Sequence, residues 1–369
     1  MTKKERKRLL IGVGVMAVIF IAVASIGWMQ DEYLITYYYG FDGKYETQTV
    51  KKGYQKKPLE PGRYGHVFDG WYYLDKQGNE VLFDFETERV TRNLELTAHW
   101  KPFETELILA LPDGYGECEV DSITVAYGSE FTLPEATREG YYFAGWETPG
   151  HSIMSGGVWD YPTATYRIRA RWSKFAPGKT YFLGEYEQNI NPDGKKEPIE
   201  WIPIDKKDGK YLLVSKYALD VGCLGRKDGK GGYVHWADCV LREWLNGEFY
   251  DQAFSESEKA MICDSYDASL GTTDRVFLPS LEEARLLIGM DAFGAATVYS
   301  NQAGLRYVSG WAELKIDGKV IEFAVWLTRS FRNNKNWACS GGAEVSYYAL
   351  VKAGIRPSIW VDASKLGGR

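Results

Sequence analysis

Apolar and polar residues alternate over short stretches of the chain, and glycine, aspartate and proline interrupt these stretches. In residues 33–39 and 94–100, aromatic and aliphatic side chains recur in the short runs that are typical of β-strands. Aromatic residues make up 15% of the chain, with Tyr 26 and Trp 13, and such residues favour strands. The first half of the chain is therefore predicted to be β-rich.

This β-rich part contains an internal repeat. Phe68–Tyr72 is matched by Phe143–Glu147 at an offset of 75 residues, and Ala98–Trp100 is matched by Ala170–Trp172 at an offset of 72. Matches that keep nearly the same offset predict two tandem copies of one module. Because each copy has only about 70 residues, buried tryptophans are expected to supply most of its core.

After about residue 176 the pattern changes to a mixture of strands and helices. Capping-box spacings, dipeptides typical of hairpin turns and one run of helical period are all present. The predicted turns lie at Asp208-Gly209 and Asp317-Gly318, and the predicted helices follow Ser255, follow Ser280 and cover Val240–Phe249. Arg329 and Arg356 border apolar strands and are expected to form hydrogen bonds or ion pairs inside this domain.

The amino terminus predicts a membrane segment. A basic cluster precedes twenty residues, Leu9–Trp28, that carry no charge. A helix of that length spans about 30 Å, the thickness of a bilayer's hydrocarbon core. The basic residues favour a cytoplasmic amino terminus and an extracytoplasmic remainder. A signal peptide that is cleaved before Ser25 is the alternative, and both interpretations export the chain.

Charge and cysteine content exclude some classes of function. The formal net charge is −6, and the basic cluster lies at the amino terminus, so the exported part is acidic and a nucleic-acid partner is not expected. Five cysteines are too few for a scaffold built on disulfides. The pairing of Cys223, Cys239, Cys263 and Cys339 stays open.

The order of the motifs in each copy resembles a known family. A strand, a V-x-x-G turn, G-Y-x-F-x-G-W and a closing A-x-W resemble the internalin-type B repeat, a small β-grasp-like module. The second copy carries the motif best, in Glu139–Trp146, whereas the first departs from it in Arg63–Phe68. The resemblance implies a bacterial surface protein in which such modules act as stalks or bind partners.

The last part of the chain resembles a family of exported bacterial domains without an assigned function. The similarity rests on short motifs from Pro198–Trp201 to Gly354–Ile359. Its ending also resembles C-type-lectin-like folds, including the formylglycine-generating enzymes. The reactive cysteine pair of those enzymes cannot be matched to Cys263 and Cys339, so the resemblance implies no activity here.

The candidate metal and nucleophile sites each lack a required residue. His235 and Cys239 lie at helical spacing after Cys223, but a zinc site needs about four ligands and a fourth is missing nearby. Glu197-Pro198-Ile199 lacks the asparagine of a calcium-binding lectin loop. Cys339 precedes a serine and two glycines, yet no base is evident for it. No cofactor, metal or catalytic residue is predicted.

A ligand-binding site is predicted in residues 331–348, taken as a loop between two strands. Amide, guanidinium and aromatic side chains occur together there, a combination that commonly contacts sugars or peptides. The candidate residues are Arg332, Asn334, Asn336, Trp337, Tyr347 and Tyr348. The alternative is an ordinary loop whose Trp337 packs underneath.

The predicted fold class is multidomain: an N-terminal transmembrane helix, two small β-rich, β-grasp-like repeats and an α+β, C-type-lectin-like C-terminal domain. The predicted domains are residues 1–30, 33–101, 104–173 and 176–369, the last being called the head. The predicted function is binding or adhesion at the cell envelope by a single-pass membrane protein, with the repeats as spacer. Its partners would be the membrane and a glycan, a cell-wall polymer or a surface protein. An exported hydrolase, a cysteine-dependent oxidase and a purely architectural envelope protein are the alternatives.

Overall fold

The computed structural model describes residues 32–366, apart from residues 151, 191–192, 298, 301–311, 317–318, 324 and 341–342. These residues form two compact units. The first contains residues up to 106 together with 124–131 and 158–164. The second contains residues 107–123 and 132–157 and continues from 165 to the end of the described chain.

The first repeat is a five-stranded sheet. Its strands are β1 Glu32–Tyr38, β2 Tyr45–Lys51, β3 His66–Leu74, β4 Glu80–Leu82 and β5 Leu94–Pro102. They lie in the order β2-β1-β5-β3-β4, with β1 and β5 parallel and the other described pairs antiparallel. The inner face of the sheet packs Ile35, Trp71, Val90, Leu96 and other apolar side chains into one core. The described connections 52–65 and 83–93 contain no helix.

The second repeat has the same strand order. Its strands are β6 Glu104–Ala110, β7 Ser122–Ala126, β8 Glu130–Thr132, β9 Tyr142–Glu147, β10 Ile153–Met154, β11 Gly156–Val158 and β12 Thr165–Ser173, with a 3-10 turn at Pro112–Gly114. The main sheet runs β10-β9-β12-β6-β7, and β8 pairs with β11. Each strand of the main sheet occupies the place of its counterpart in the first repeat, in agreement with the predicted internal repeat.

The Gly-Trp dipeptide of the repeat motif lies at a β-bulge in both copies. The register shifts between Phe68 and Gly70 in the first repeat, and at the equivalent position beside Gly145 in the second. Both glycines have positive φ, 145° and 108°. A Cβ atom on either would lie 2.5 Å from a side-chain carbon of Leu82 or Ile153 on the neighbouring strand. The motif therefore requires glycine for both conformation and space.

The bulge directs the following tryptophan into the core. Trp71 is 3% exposed and Trp146 is 1% exposed. Each belongs to a triad of one phenylalanine and two tryptophans, which are Phe68, Trp71 and Trp100 in the first repeat and Phe143, Trp146 and Trp172 in the second. The ring centroids are 5.5–5.6 Å apart, mostly edge to face. This packing places large aromatic side chains at the core of a small module.

The head is built mainly from strands. They are β13 Tyr181–Tyr186, β14 Glu197–Lys207, β15 Lys210–Ser215, β16 Asp220–Gly222, β17 Ile262–Cys263, β18 Ser265–Asp267, β19 Thr272–Asp274, β20 Ala312–Ile316, β21 Lys319–Phe323, β22 Trp326–Arg332, β23 Lys335–Ser340, β24 Ala343–Tyr347, β25 Ala353–Ile355 and β26 Ser358–Asp362. Two five-stranded sheets, β13-β14-β15-β26-β17 and β16-β25-β22-β23-β24, enclose one hydrophobic core. The pairs β18-β19 and β20-β21 form separate two-stranded sheets.

The described helices of the head are short. They are α1 Val240–Trp244, α2 Tyr250–Ala253, α3 Glu256–Lys259, α4 Leu281–Ala284 and α5 Met290–Phe293. A π-helical turn, Leu245–Phe249, joins α1 to α2, and Trp236–Asp238 is a 3-10 turn. Both predicted capping boxes form, but each helix ends after one turn. Three residues after α3, for example, the chain enters β17 beside β26.

The predicted fold class is wrong. Strands dominate the described residues, and the helices of the head are too short to form the α layer of an α+β domain. None of the helices in the described ranges is long and apolar enough to cross a membrane. The predicted transmembrane segment, residues 9–28, lies outside the described residues. The predicted hairpin at Asp208-Gly209 is confirmed, because both residues have positive φ and Lys207 pairs with Lys210.

A fully buried arginine connects separate backbone segments of the head by hydrogen bonds. Arg356 donates from Nε to the carbonyl oxygen of Ser215 at 3.0 Å and from Nη1 to that of Asp291 at 2.9 Å. It also donates from Nη2 to the carbonyl oxygen of Lys216 at 3.2 Å, and the guanidinium lies 4.8 Å from the centre of the Trp326 ring. Burial lowers the pKa of Arg356 to about 10, so the side chain is still charged at neutral pH.

A second arginine forms the ion pair that the sequence predicted. Arg329 donates to both carboxylate oxygens of Glu283, and to the carbonyl oxygen of Leu278 at 2.7 Å. Its side chain lies over the Phe277 ring at 4.8 Å. Since Glu283 is also the capping residue of α4, this pair fixes the start of that helix to β22.

The second repeat packs against the head within the second compact unit. Arg171 Nη2 donates to the carbonyl oxygens of Arg285 and Leu287, at 2.5 Å and 3.3 Å. On the same strand, Arg169 forms an ion pair with Glu147, which is only 4% exposed, at 2.6 Å. The outer face of this repeat is therefore an interface rather than a free spacer surface.

Replacing the bulge glycine should destabilise the second repeat. In Gly145→Ala the new methyl group would meet Ile153 in a backbone conformation that costs energy for alanine, so we expect a loss of about 1–3 kcal/mol. Chemical unfolding followed by tryptophan fluorescence measures this. Gly150→Ala is the control, because Gly150 has an ordinary φ and only one atom near the new methyl, at 3.9 Å. Equal unfolding midpoints for the two variants would contradict the assignment.

Removing the buried guanidinium should destabilise the head. Arg356→Met removes the hydrogen-bond donor of three carbonyl oxygens in the interior of the head. We therefore expect the free energy of unfolding to fall by at least about 3 kcal/mol. Arg275→Met is the control, because the Arg275 side chain is 53% exposed and its change should have little effect. Denaturant titration followed by circular dichroism compares them. An Arg356→Met midpoint equal to that of the control would contradict this role.

Candidate functional site

The predicted ligand loop, residues 331–348, is an antiparallel sheet rather than a loop. The strands β22, β23 and β24 follow one another, and Arg332 pairs with Lys335 across the first turn. Asn333 and Asn334 form that turn with positive φ, 51° and 58°. Asparagine tolerates this backbone conformation. The two asparagines, which had suggested a binding loop in the sequence, therefore form a tight turn.

The alternation of the strands divides the predicted site residues between two faces. Asn336 pairs with Tyr347, and their exposed fractions are 2% and 8%. The Asn336 Oδ1 accepts a hydrogen bond from the Val234 backbone N at 2.8 Å, and its Nδ2 donates to the Val234 carbonyl oxygen at 2.5 Å. Asn336 therefore holds the segment around Val234, and Tyr347 is buried in the core of the head, so neither presents its side chain to a ligand.

Trp337 lies on the opposite face and is half-buried against the core of the head. Its Nε1 donates to the Arg332 carbonyl oxygen at 3.2 Å. Arg332 is exposed, with its Nη1 3.4 Å from a carboxylate oxygen of Glu344. Glu344 also forms an ion pair with Arg285. Trp337 thus has a packing role and supports the Arg332 backbone.

Tyr348 is the most open of the predicted aromatic residues, with 59% of its surface exposed. It stacks on Tyr233, with ring centroids 4.9 Å apart and an angle of 16° between the planes. Desolvation and a hydrogen bond to Tyr348 raise the pKa of Tyr233, so that phenol stays neutral at physiological pH. The pair forms a flat aromatic surface at the edge of the head.

The register places this pair near the turn. Asn336 pairs with Tyr347, so Tyr348 follows at the end of this strand pair that is nearer to the turn at Asn333 and Asn334. We call Tyr233, Tyr348 and the turn residues 332–335 the aromatic tip. Sequence reasoning missed Tyr233, because about a hundred residues separate it from Tyr348. The Gly231-Gly232 dipeptide before it was the available signal of a turn.

The groups considered for metal or nucleophilic chemistry are engaged in packing. His235 lies against Phe331 with ring centroids 3.9 Å apart, and Cys239 Sγ donates to the Leu224 carbonyl oxygen at 2.9 Å. Burial raises the pKa of Cys239 to about 11 and that of Cys339 to about 12. All five cysteines are free thiols. Within the described ranges, no group of three or more His, Cys, Asp or Glu side chains is placed to hold a metal ion.

A cavity of about 330 Å³ lies where the second repeat meets the head, inside the second unit. Its walls include Phe175 and Leu287, and its polar lining includes Glu200, Lys216 and Asp291. Lys216 contacts both carboxylate oxygens of Glu200 at 3.0 Å. Burial raises the pKa of Asp291 while Arg356 and Lys216 act against that rise. The charged groups of the lining therefore partly neutralise one another.

Two family models match separate parts of the chain. Residues 33–99 and 112–155 match the Listeria-Bacteroides repeat domain, and residues 208–363 match a domain of unknown function (DUF6273). The predicted bacterial repeat is therefore confirmed as a match to the Listeria-Bacteroides repeat domain. The matches do not extend to the internalin B repeat in particular or to a lectin-like fold.

Curated relatives share part of the chain. Two proteins of Evansella cellulosilytica, named as a membrane protein and a Gly-rich membrane protein, are 32% identical over 122 residues and 34% identical over 121 residues. These matches cover 32% and 31% of this chain but only 17% and 13% of the relatives. Internalin H of Listeria monocytogenes is 28% identical over 171 residues, which are 46% of this chain and 28% of that protein. The chain therefore spans less than a third of the length of each relative.

Proposed function

We propose that this protein is a bacterial surface or envelope protein whose head binds a glycan or wall polymer of the cell envelope. The repeat match and the names of the relatives support the location, since two are named as membrane proteins and the third is an internalin. Binding by the head and a role in adhesion are the further parts of the proposal, and they depend on the aromatic tip.

The exposed stack of Tyr233 and Tyr348 is the observation that carries the proposal. Tyr348 is 59% exposed, and its stacking on Tyr233 makes a flat ring surface that is open to solvent. Aromatic faces of this kind stack on the apolar faces of sugar rings. Lys335, in the turn of the aromatic tip, has an exposed side chain whose ammonium group is a donor for hydroxyl or acidic groups of a wall polymer.

An enzyme that uses cysteine is the alternative from the sequence, and the surroundings of its candidate nucleophiles do not favour it. A thiolate is the reactive form, and nucleophilic cysteines need a lowered pKa or an adjacent base. Cys239 and Cys339 are buried, with pKa values raised to about 11 and about 12. Both thiols are therefore protonated at neutral pH.

Removing the exposed ring should weaken ligand binding by the head. We expect Tyr348→Ala to reduce affinity about tenfold, because it removes one half of the stack without opening the core. Binding of the purified protein to a panel of glycans and wall polymers, with calcium and with chelator, measures this. Tyr266→Ala is the control, because Tyr266 is also on the head and 70% exposed but lies outside the aromatic tip. A folded protein that binds no member of the panel, or that binds equally as Tyr348→Ala, would contradict the proposal.

Thiol labelling tests the enzymatic alternative. In the native protein at pH 8 we expect Cys239 and Cys339 to resist a thiol reagent, because burial disfavours their thiolates, and to react once denaturant is added. The partly exposed Cys118, Cys223 and Cys263 serve as internal controls and should react faster. Mass spectrometry of labelled peptides assigns the sites. Rapid native labelling of Cys339 would instead favour a reactive cysteine in the head.

A further inference from the structure

The outer face of the first repeat carries a row of paired residues, three of them tyrosines, that lies outside the hydrophobic core. Tyr38 pairs with Tyr45 on β2 and with Thr97 on β5, and Thr97 pairs with Tyr72 on β3. Tyr72 in turn pairs with Leu82 on β4. Residues paired in this way point to the same side of a sheet, so the row crosses all five strands. Tyr45 is 61% exposed, Leu82 49% and Tyr38 38%.

The middle of this row is a groove. Thr97 is much smaller than the tyrosines on either side, so Tyr38 and Tyr72 form walls and Thr97 forms part of the floor. Glu95, two residues earlier on the same strand and face, is exposed and continues the floor. The groove encloses about 480 Å³, a volume within the range of ligand sites, and Glu80 and Arg92 also line it.

Neighbouring rings hold the two walls in place. Tyr72 stacks on His99 with ring centroids 4.1 Å apart and 17° between the planes, and His99 Nε2 lies 3.2 Å from Glu80 Oε1. The Tyr38 and Tyr45 rings are 5.9 Å apart. Walls that are fixed before binding lose little conformational entropy when a ligand enters.

The second repeat uses the same face differently. At the repeat offsets, Thr97 corresponds to Arg169, His99 to Arg171 and Tyr72 to Glu147. In the second repeat these residues form ion pairs and hold the backbone of the head, as described above. The buried aromatic triad is kept in both copies, whereas this outer face changes from an ionic interface to an aromatic groove.

We propose that the groove between Tyr38 and Tyr72 binds an uncharged polysaccharide chain. The phenol rings stack on the apolar faces of sugar rings, and Thr97, Glu95 and Glu80 bond to sugar hydroxyls. Two carboxylates and one guanidinium leave the lining slightly acidic, which disfavours polyanions such as nucleic acids or phosphate-rich polymers. The polar floor likewise disfavours an apolar helix. This site is distinct from the aromatic tip, and the first repeat then acts as a binding module.

Blocking the groove tests the proposal. Thr97→Arg places between the walls the residue that the second repeat has at the equivalent position, so the fold should tolerate it. We expect the full-length protein to bind chitohexaose or cellohexaose in isothermal titration calorimetry, and Thr97→Arg to weaken that binding at least tenfold. Tyr38→Ala should weaken it similarly. Tyr54→Ala is the matched control, because Tyr54 is 55% exposed in the same repeat and does not line the groove.

The outcomes separate this site from the head. Tyr266→Ala, on the head and outside both sites, should leave binding of the two oligosaccharides unchanged, so a loss confined to Thr97→Arg and Tyr38→Ala assigns the binding to the groove whether or not the head binds a ligand. Circular dichroism and unfolding midpoints confirm that each variant is folded. The proposal is overturned if folded protein binds neither oligosaccharide, if Thr97→Arg and Tyr38→Ala bind as well as Tyr54→Ala, or if polygalacturonate binds more tightly than both uncharged chains.

Discussion

The β-bulge at the Gly-Trp dipeptide is the constraint on which both repeats depend. A module of about 70 residues has little interior, so it must direct its few large side chains inward with accuracy. Glycine supplies the positive φ of the bulge and leaves room for Leu82 or Ile153, and the next residue then turns into the core as Trp71 or Trp146. Because the inner face meets the packing requirement, the outer face is free to vary between copies.

The two outer faces show what that freedom allows. In the second repeat, Glu147 pairs with Arg169 on this face and Arg171 donates to backbone carbonyl oxygens of the head, so the face is an interface. In the first repeat, Tyr72, Thr97 and His99 stand at the equivalent places. One fold thus provides a structural support in one copy and an open aromatic surface in the other.

Polar side chains organise the head where its helices are too short to do so. Arg356 bonds three carbonyl oxygens from two segments that are distant in sequence, and Glu283 joins the cap of α4 to Arg329. Glu258 acts in the same way, since it caps α3 and accepts a hydrogen bond from the Gly184 backbone N at 2.7 Å. Arg356 is fully buried, so loss of its guanidinium would leave unpaired carbonyl oxygens in the core, whereas Glu283, Arg329 and Glu258 are partly buried.

Local patterns in the sequence determined much of this protein. The repeat offset, the Asp208-Gly209 turn, both capping boxes and the inward role of Arg329 and Arg356 follow from short-range chemistry, and all are present in the structure. Tertiary packing alone decided the length of the helices, because strand pairing such as that of β17 with β26 ends them early. It also divided the predicted site, burying Asn336 and Tyr347 while joining Tyr348 to Tyr233 from a distant segment. The exposure of a side chain depends on which residues pair across strands, and these pairings cannot be read from the spacing of residues along the sequence.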